Sequence, residues 1–253
     1  MRAAVISDVH GNLLALQAVL ADIRDVDLII ANGDLLAYGP RPAETLELLR
    51  SLPNVTFISG NNDRYLLERR WQQRPRDGWE AEALANLRWT AEDLGQEGLN
   101  EIERWPFQVR PPLSAPVTVV HASPVADNVG MFPWTSDAQL QEQLRDVADG
   151  VVVCGHTHLL MDRQVGARRI VSDGSAGFPF DRDIRPSCVI LDDSASLHVE
   201  VRRVAYDVER AIVDLEQRAV PFAQVIAYQM RHASLMPKHE TDYARRDLLR
   251  YAE

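Results

Sequence analysis

The stretch Ala3-Ala4-Val5-Ile6-Ser7-Asp8-Val9-His10-Gly11-Asn12 decides how this chain is read. A buried strand at residues 3–7 runs directly into an acid, an imidazole and a glycine. The same pattern recurs four times. Residues 27–32 run into Gly33-Asp34, and 55–59 into Gly60-Asn61-Asn62-Asp63. Residues 117–120 run into His121, and 151–154 into Gly155-His156-Thr157-His158. Five apolar strands therefore end, at their carboxyl side, in Asp, Asn or His. That edge is where open α/β sheets bind ligands, and the glycines let the backbone turn tightly beside one.

Between these strands lie helical patterns. Leu13, Leu16, Leu20 and Ile23 recur at helical spacing, predicting a helix over 13–24. Pro42 opens a second helix over 42–52. Residues 64–105 carry four of the five tryptophans and little strand propensity, so they read as a helical excursion, best at 86–94 and 99–104. A further helix is expected over 137–147. Three β-rich runs then follow closely at 169–172, 188–191 and 197–204, suggesting antiparallel neighbours. Helices over 208–218, with Asp207 as N-cap, and 222–232 belong to a helical C-terminal extension, 207–253. No Gly- or Ser-rich linker divides the chain, so residues 1–253 are expected to form one α/β domain.

Composition narrows the function. Of 253 residues, 46% are hydrophobic and 25% charged, ordinary values for a folded chain. No stretch approaches the ~18 apolar residues of a membrane span, and no secretory leader is visible. Two cysteines cannot make a disulfide framework, so a reducing cytoplasm is expected. The net charge of −10 argues against duplex nucleic acid as partner. No G-x-G-x-x-G follows the first strand, which argues against a dinucleotide-binding dehydrogenase.

Asp8, His10, Asp34, Asn61, His121, His156 and His158 form an oxygen and imidazole donor set without thiolate, suited to Mn, Fe, Zn, Co or Ni. Seven donors exceed one site that keeps a position open, but they suit two sites sharing a carboxylate, the clamp used for displacement at phosphorus. Two divalent ions, two carboxylates and a bridging hydroxide leave a charge of about +1 to face an anionic ester. An acidic protein could thereby hold an acidic substrate.

D-V-H, G-D, G-N-N-D, a lone H and G-H-T-H, in this order from Asp8 to His158, resemble the calcineurin-like metallophosphoesterase superfamily. Gly39-Pro40 after Tyr38, Trp89-Thr90, the loop Gly174-Ser175-Ala176-Gly177 and Tyr206-Asp207-Val208 look like its small bacterial phosphodiesterase-like branch. The resemblance implies a four-layer α-β-β-α sandwich of two mixed β-sheets flanked by helices. It implies that Asp8, His10, Asp34 and His158 hold one metal. Asp34 would bridge, and Asn61, His121 and His156 would complete the second site. It also implies Mn²⁺ as the usual activator, with Asn12 and Asp63 orienting the ligands from behind. Many relatives place histidine where this chain has Asn62, and an amide cannot act as a general acid. That departure favours a phosphodiesterase over a monoesterase.

The expected activity is hydrolysis of small phosphodiesters or nucleotides by attack of a metal-bridging hydroxide, with Asp34, Asn62 and His121 as the catalytic candidates. A phosphatase of phosphoproteins or dinucleoside polyphosphates is the alternative, and an inactive scaffold of the same fold is a third reading. Arg64 and Tyr38 are candidate substrate contacts, and Trp71 and Trp79 a candidate aromatic wall. Oligomeric state and the role of residues 238–253 are left open.

Overall fold

The computed structural model describes residues 1–237, so residues 238–253, whose role the sequence leaves open, and with them the end of the extension, lie outside the described residues. The first sheet orders its strands β10-β9-β1-β2-β3. Here β1 (Arg2–Ile6), β2 (Leu28–Asn32) and β3 (Val55–Ile58) run parallel. Strands β9 (Ser187–Asp192) and β10 (His198–Arg203) pair antiparallel beside β1. The second sheet is β4-β5-β6-β8-β7. Its parallel core is β5 (Val117–Val120), β6 (Gly150–Cys154) and β8 (Arg168–Asp173). The edges β4 (Gln108–Val109) and β7 (Leu160–Val165) are antiparallel.

Period-two alternation along the strands builds the layers. Ala3, Val5, Ile30 and Ile58 of the first sheet meet Val117, Val119, Val153 and Val171 of the second in a seam between the sheets. Ala4, Ile6 and Ala31 face the other way, under α1 (Leu13–Asp22), α2 (Pro42–Ser51) and α4 (Gly78–Ile102). On the far side, Val120, Val152, Cys154 and Ile170 pack against Leu140 of α5 (Asp137–Gln143). The result is the four-layer sandwich expected. Helices α6 (Val208–Gln217) and α7 (Ala223–His232) pack on Trp79 and Phe178.

Two expectations change. The runs at 169–172, 188–191 and 197–204 are not three antiparallel neighbours, because residues 174–186 cross from one sheet to the other. Only β9 and β10 pair that way, while β8 lies parallel to β6 and takes β7 as its antiparallel partner. The helical excursion also starts earlier: α3 (Asn61–Leu67) begins on the motif residue itself. Gly95, at φ 61° and ψ −176°, kinks α4 between the two stretches with the better helical pattern.

Candidate metal centre

Five motifs from the two sheets converge on one buried edge. The first sheet delivers Asp8, His10, Asp34 and Asn61, and the second His121, His156 and His158. Five of these residues have left-handed backbone: Asp8 (φ 54°), His10 (52°), Asp34 (52°), His156 (65°) and His158 (57°). Non-glycine residues rarely adopt that region, and where they do it concentrates at functional sites. Space is equally tight. A Cβ on Gly33, itself at φ 79°, would lie 2.7 Å from both the Gly60 nitrogen and His121 Nδ1.

The hydrogen bonds fix which ring nitrogens are bare. His10 Nδ1–H donates to the Ala37 carbonyl at 3.0 Å, and His158 Nδ1–H to the Phe178 carbonyl at 2.5 Å. Their Nε2 atoms then face each other at 3.2 Å. Asp8 Oδ1 lies 3.3 Å from His158 Nε2 and 3.8 Å from His10 Nε2, and has no hydrogen-bond partner among the described residues. In the neutral tautomers that these bonds select, three lone pairs point into one buried space, with Oδ2 of Asp8 turned away to accept from the His156 N–H at 2.8 Å.

A second convergence lies alongside. His121 Nδ1–H donates to the Asn32 carbonyl at 2.9 Å, leaving Nε2 3.3 Å from Asn61 Oδ1 and 3.5 Å from Asp34 Oδ2. The same Asp34 oxygen lies 4.0 Å from His10 Nε2, between the two groups. Donor atoms of Asp8, His10 and His158, and separately of Asp34, His121 and His156, lie within 4.8 Å of one another. Buried acceptors facing acceptors are costly without a shared positive centre. A divalent cation in each cluster supplies it, and the N and O donors fit the borderline metals expected.

Electrostatics agree. Burial, aided by the neighbouring His158, takes His10 down to about 4, and burial with His121 does the same to His156, so both offer neutral imidazole. Burial pushes Asp8 up, but the imidazoles of His158 and His121 outweigh it and hold the carboxyl at about 2. Burial likewise opposes ionisation of Asp34, yet His121 keeps that carboxyl well below its usual range. Burial would lower His121, but Asp34 and Asp8 carry it up to about 10. A metal ion would stand where that extra proton sits.

The supporting residues divide. Asp63 Oδ2 accepts from the backbone N–H groups of Asp34 and Gly60, both at 2.8 Å, tying two ligand-bearing loops together. Asn12 caps α1 and donates to the Gly177 carbonyl and Tyr206 hydroxyl, both at 3.0 Å, so it acts on the facing loop. Asn62 donates from its backbone to Asp34 Oδ1 at 2.8 Å and from its side chain to Asp34 Oδ2 at 2.5 Å. Arg64 is committed elsewhere: its guanidinium grips Asp127 at 2.6 and 2.8 Å. Two buried residues went unnoticed in the sequence, Ser7 and Asp173, although each also closes an apolar strand.

A cavity of about 340 Å³ opens from His10, Asn61, Asn62, His156 and His158. Tyr38, Trp79, Phe178, Phe180 and Phe222 line it, together with Ala83 and Leu87 of α4 and Arg70. Trp71 packs instead against the core under the first sheet.

A sequence profile described as the calcineurin-like phosphoesterase superfamily domain matches residues 1–196. An uncharacterised protein of Methanocaldococcus jannaschii, MJ0912, is 27% identical over 86% of this chain and 93% of its own length. The crystal structure of a metallophosphoesterase from Sphaerobacter thermophilus superposes with a TM-score of 0.74 at 28% identity, covering 92% of this chain and 99% of that one. A symmetrical bis(5'-nucleosyl)-tetraphosphatase of Pectobacterium atrosepticum is 38% identical over 71 residues, 26% of this chain and 25% of that protein. Among the described residues no helix is long and apolar enough to cross a membrane.

Proposed function

The chain belongs to the calcineurin-like phosphoesterase superfamily, and from that premise we propose that it is a dinuclear, metal-dependent phosphodiesterase of small molecules. The observation that carries the reading is the convergence of two clusters of buried nitrogen and oxygen donor atoms about Asp34 Oδ2. In this reading Asp8, His10 and His158 would hold one cation, Asn61, His121 and His156 the other, with Asp34 available to both. Such a pair, when bound, supplies Lewis acidity to the phosphoryl oxygens and lowers the pKa of the attacking water. Manganese is the first candidate, with Fe, Zn, Co and Ni compatible with the same donors.

The protein's own groups do the positioning. The Nδ1–H bonds of His10, His121 and His158 to backbone carbonyls fix the tautomers that present Nε2. Asn62 lines the cavity and can offer an N–H to a phosphoryl oxygen, but it has no proton to give a departing alkoxide. That restricts efficient turnover to leaving groups that depart without a strong acid, such as phenolates, nucleotides or phosphates. The walled cavity favours a small molecule over a phosphorylated protein side chain, and its aromatic lining suits a flat ring.

The test is hydrolysis of bis(p-nitrophenyl) phosphate against p-nitrophenyl phosphate, with Mn²⁺ and with chelator. Metal-dependent turnover that prefers the diester supports the reading, and monoester preference overturns it. The segment shared with the tetraphosphatase favours a second reading, hydrolysis of dinucleoside polyphosphates. Faster turnover of diadenosine tetraphosphate than of the diester would select it.

A further inference from the structure

The Asp8 carboxylate is held by more than its neighbours at the site. Its Oδ2 accepts from the Ser7 hydroxyl at 2.5 Å, and that same hydroxyl lies 2.7 Å from Asp173 Oδ1. All three side chains are fully buried. A hydroxyl carries one proton, so it cannot donate to two carboxylates at once. The count closes when Asp173 is a neutral acid whose O–H donates to Ser7 Oγ, while Ser7 donates to Asp8. The remaining Asp173 oxygen, Oδ2, has no partner among the described residues, a tolerable state for a neutral carbonyl and a costly one for a buried anion.

The pair also joins the layers. Ser7 follows β1 in the first sheet, and Asp173 ends β8 in the second. The segment after Asp173 continues the same grip. Ser175 Oγ donates to the Asp8 carbonyl and the Ala176 N–H to the Ser7 carbonyl, both at 2.8 Å, and Phe178 offers the carbonyl that orients His158. Gly155 closes over the same contact, since a Cβ there would lie 2.5 Å from Asp8 Oδ2 and closer still to Ser7 Oγ. The carboxylate is thus enclosed on its Oδ2 edge and bare only at Oδ1.

We propose that Ser7 and Asp173 are positioning residues for a metal ligand: Asp173 orients the Ser7 hydroxyl, which fixes the Asp8 carboxylate plane so that Oδ1 faces His10 and His158. This rests on the reading of Asp8 as a ligand. Asn at 173 can still donate an N–H to Ser7 Oγ, whereas Ala cannot. The two substitutions therefore separate orientation from filling of space.

The experiment is Mn²⁺ titration of the full chain by calorimetry for wild type, Ser7→Ala, Asp173→Ala, Asp173→Asn and the Ser7→Ala/Asp173→Ala double variant, with Tm in chelator measured alongside. Ser7→Ala and Asp173→Ala should each weaken Mn²⁺ binding by about 10–100-fold, the range for groups that orient metal ligands. Asp173→Asn should stay near wild type, and the double variant should bind no more weakly than Ser7→Ala alone. Unchanged Mn²⁺ affinity in Asp173→Ala with a lowered Tm would mean a purely structural role and overturn the inference, as would Asp173→Asn binding as weakly as Asp173→Ala. Should Asp173→Ala not fold, Ser7→Ala carries the same prediction and wild-type affinity there overturns it. Absence of Mn²⁺ binding by wild type is a different failure: it removes the metal reading itself, and this inference with it.

Discussion

The two walls of the cavity are built by opposite means. The strand edge carries five non-glycine residues in left-handed backbone, each costing on the order of 1–3 kcal/mol, and turns buried lone pairs toward one another. On the helical wall the cavity-lining residues of α4 keep regular helical backbone, and left-handed backbone appears at Phe222 (φ 72°), the residue before α7. Trp79 meets Phe222 edge-on at 4.7 Å within an apolar cluster, and the charged residues on its outer faces pair at the surface, as Arg88 does with Glu92. The edge is organised for chemistry at the expense of local stability, and the wall for packing and shape. A substitution in one should change rate or metal binding, and in the other selectivity or stability.

The sharpest way to break this contrast is at the shared carboxylate. Asp34→Asn should lower metal-dependent diester turnover by about 10³, or ~4 kcal/mol of barrier. Steady-state rates within tenfold of wild type would show that the two clusters do not work as one.

Next comes pH. A group whose folded pKa is raised keeps its proton longer when folded, so its stabilisation is complete below the unfolded value and lost as pH climbs through the folded one. His121 goes from 6.5 to about 10. In chelator, Tm should therefore fall between pH 6.5 and about 10, and saturating Mn²⁺ should flatten that limb because the ion replaces the proton. Parallel melting curves with and without Mn²⁺ would contradict it.

The wall is probed by Ala83→Trp, which adds bulk to the α4 lining of the cavity. KM for nucleotide esters should rise about tenfold, ~1.4 kcal/mol, while kcat on a small activated diester such as methyl p-nitrophenyl phosphate stays put. Equal losses on both substrates would mean that the wall does not select. The smallest effect is expected at the surface: Glu97→Gln, which breaks an exposed 3.2 Å pair with Arg50, should move stability by less than about 1 kcal/mol in chemical denaturation.

The same division explains what could be read from the sequence. The edge was legible because each donor follows an apolar run, so strand periodicity alone places Asp8, Asp34, Asn61, His121 and His156 together. Its left-handed backbone was not, since Asp and His carry no local signal for that conformation comparable to glycine. Ser7 was absorbed into the strand and Asp173 hidden before Gly174, and only the crossing of the two sheets shows them to be neighbours. Strand β7 escaped because Asp162 and Arg163 interrupt its apolar pattern at an edge position. On the wall, Trp71 looked as eligible as Trp79, and Arg64 was the cation to expect at the cavity, but Arg64 pairs with Asp127 and Trp71 packs against the core.

Each donor cluster draws on both β-layers: Asp8 and His10 with His158 in one, Asp34 with His121 and His156 in the other. Bound ions would therefore act as rivets through the sandwich, and neither rivet could be set until both plates are in register. Ion capture should come late in folding, and prying the layers apart should release both ions in a single step.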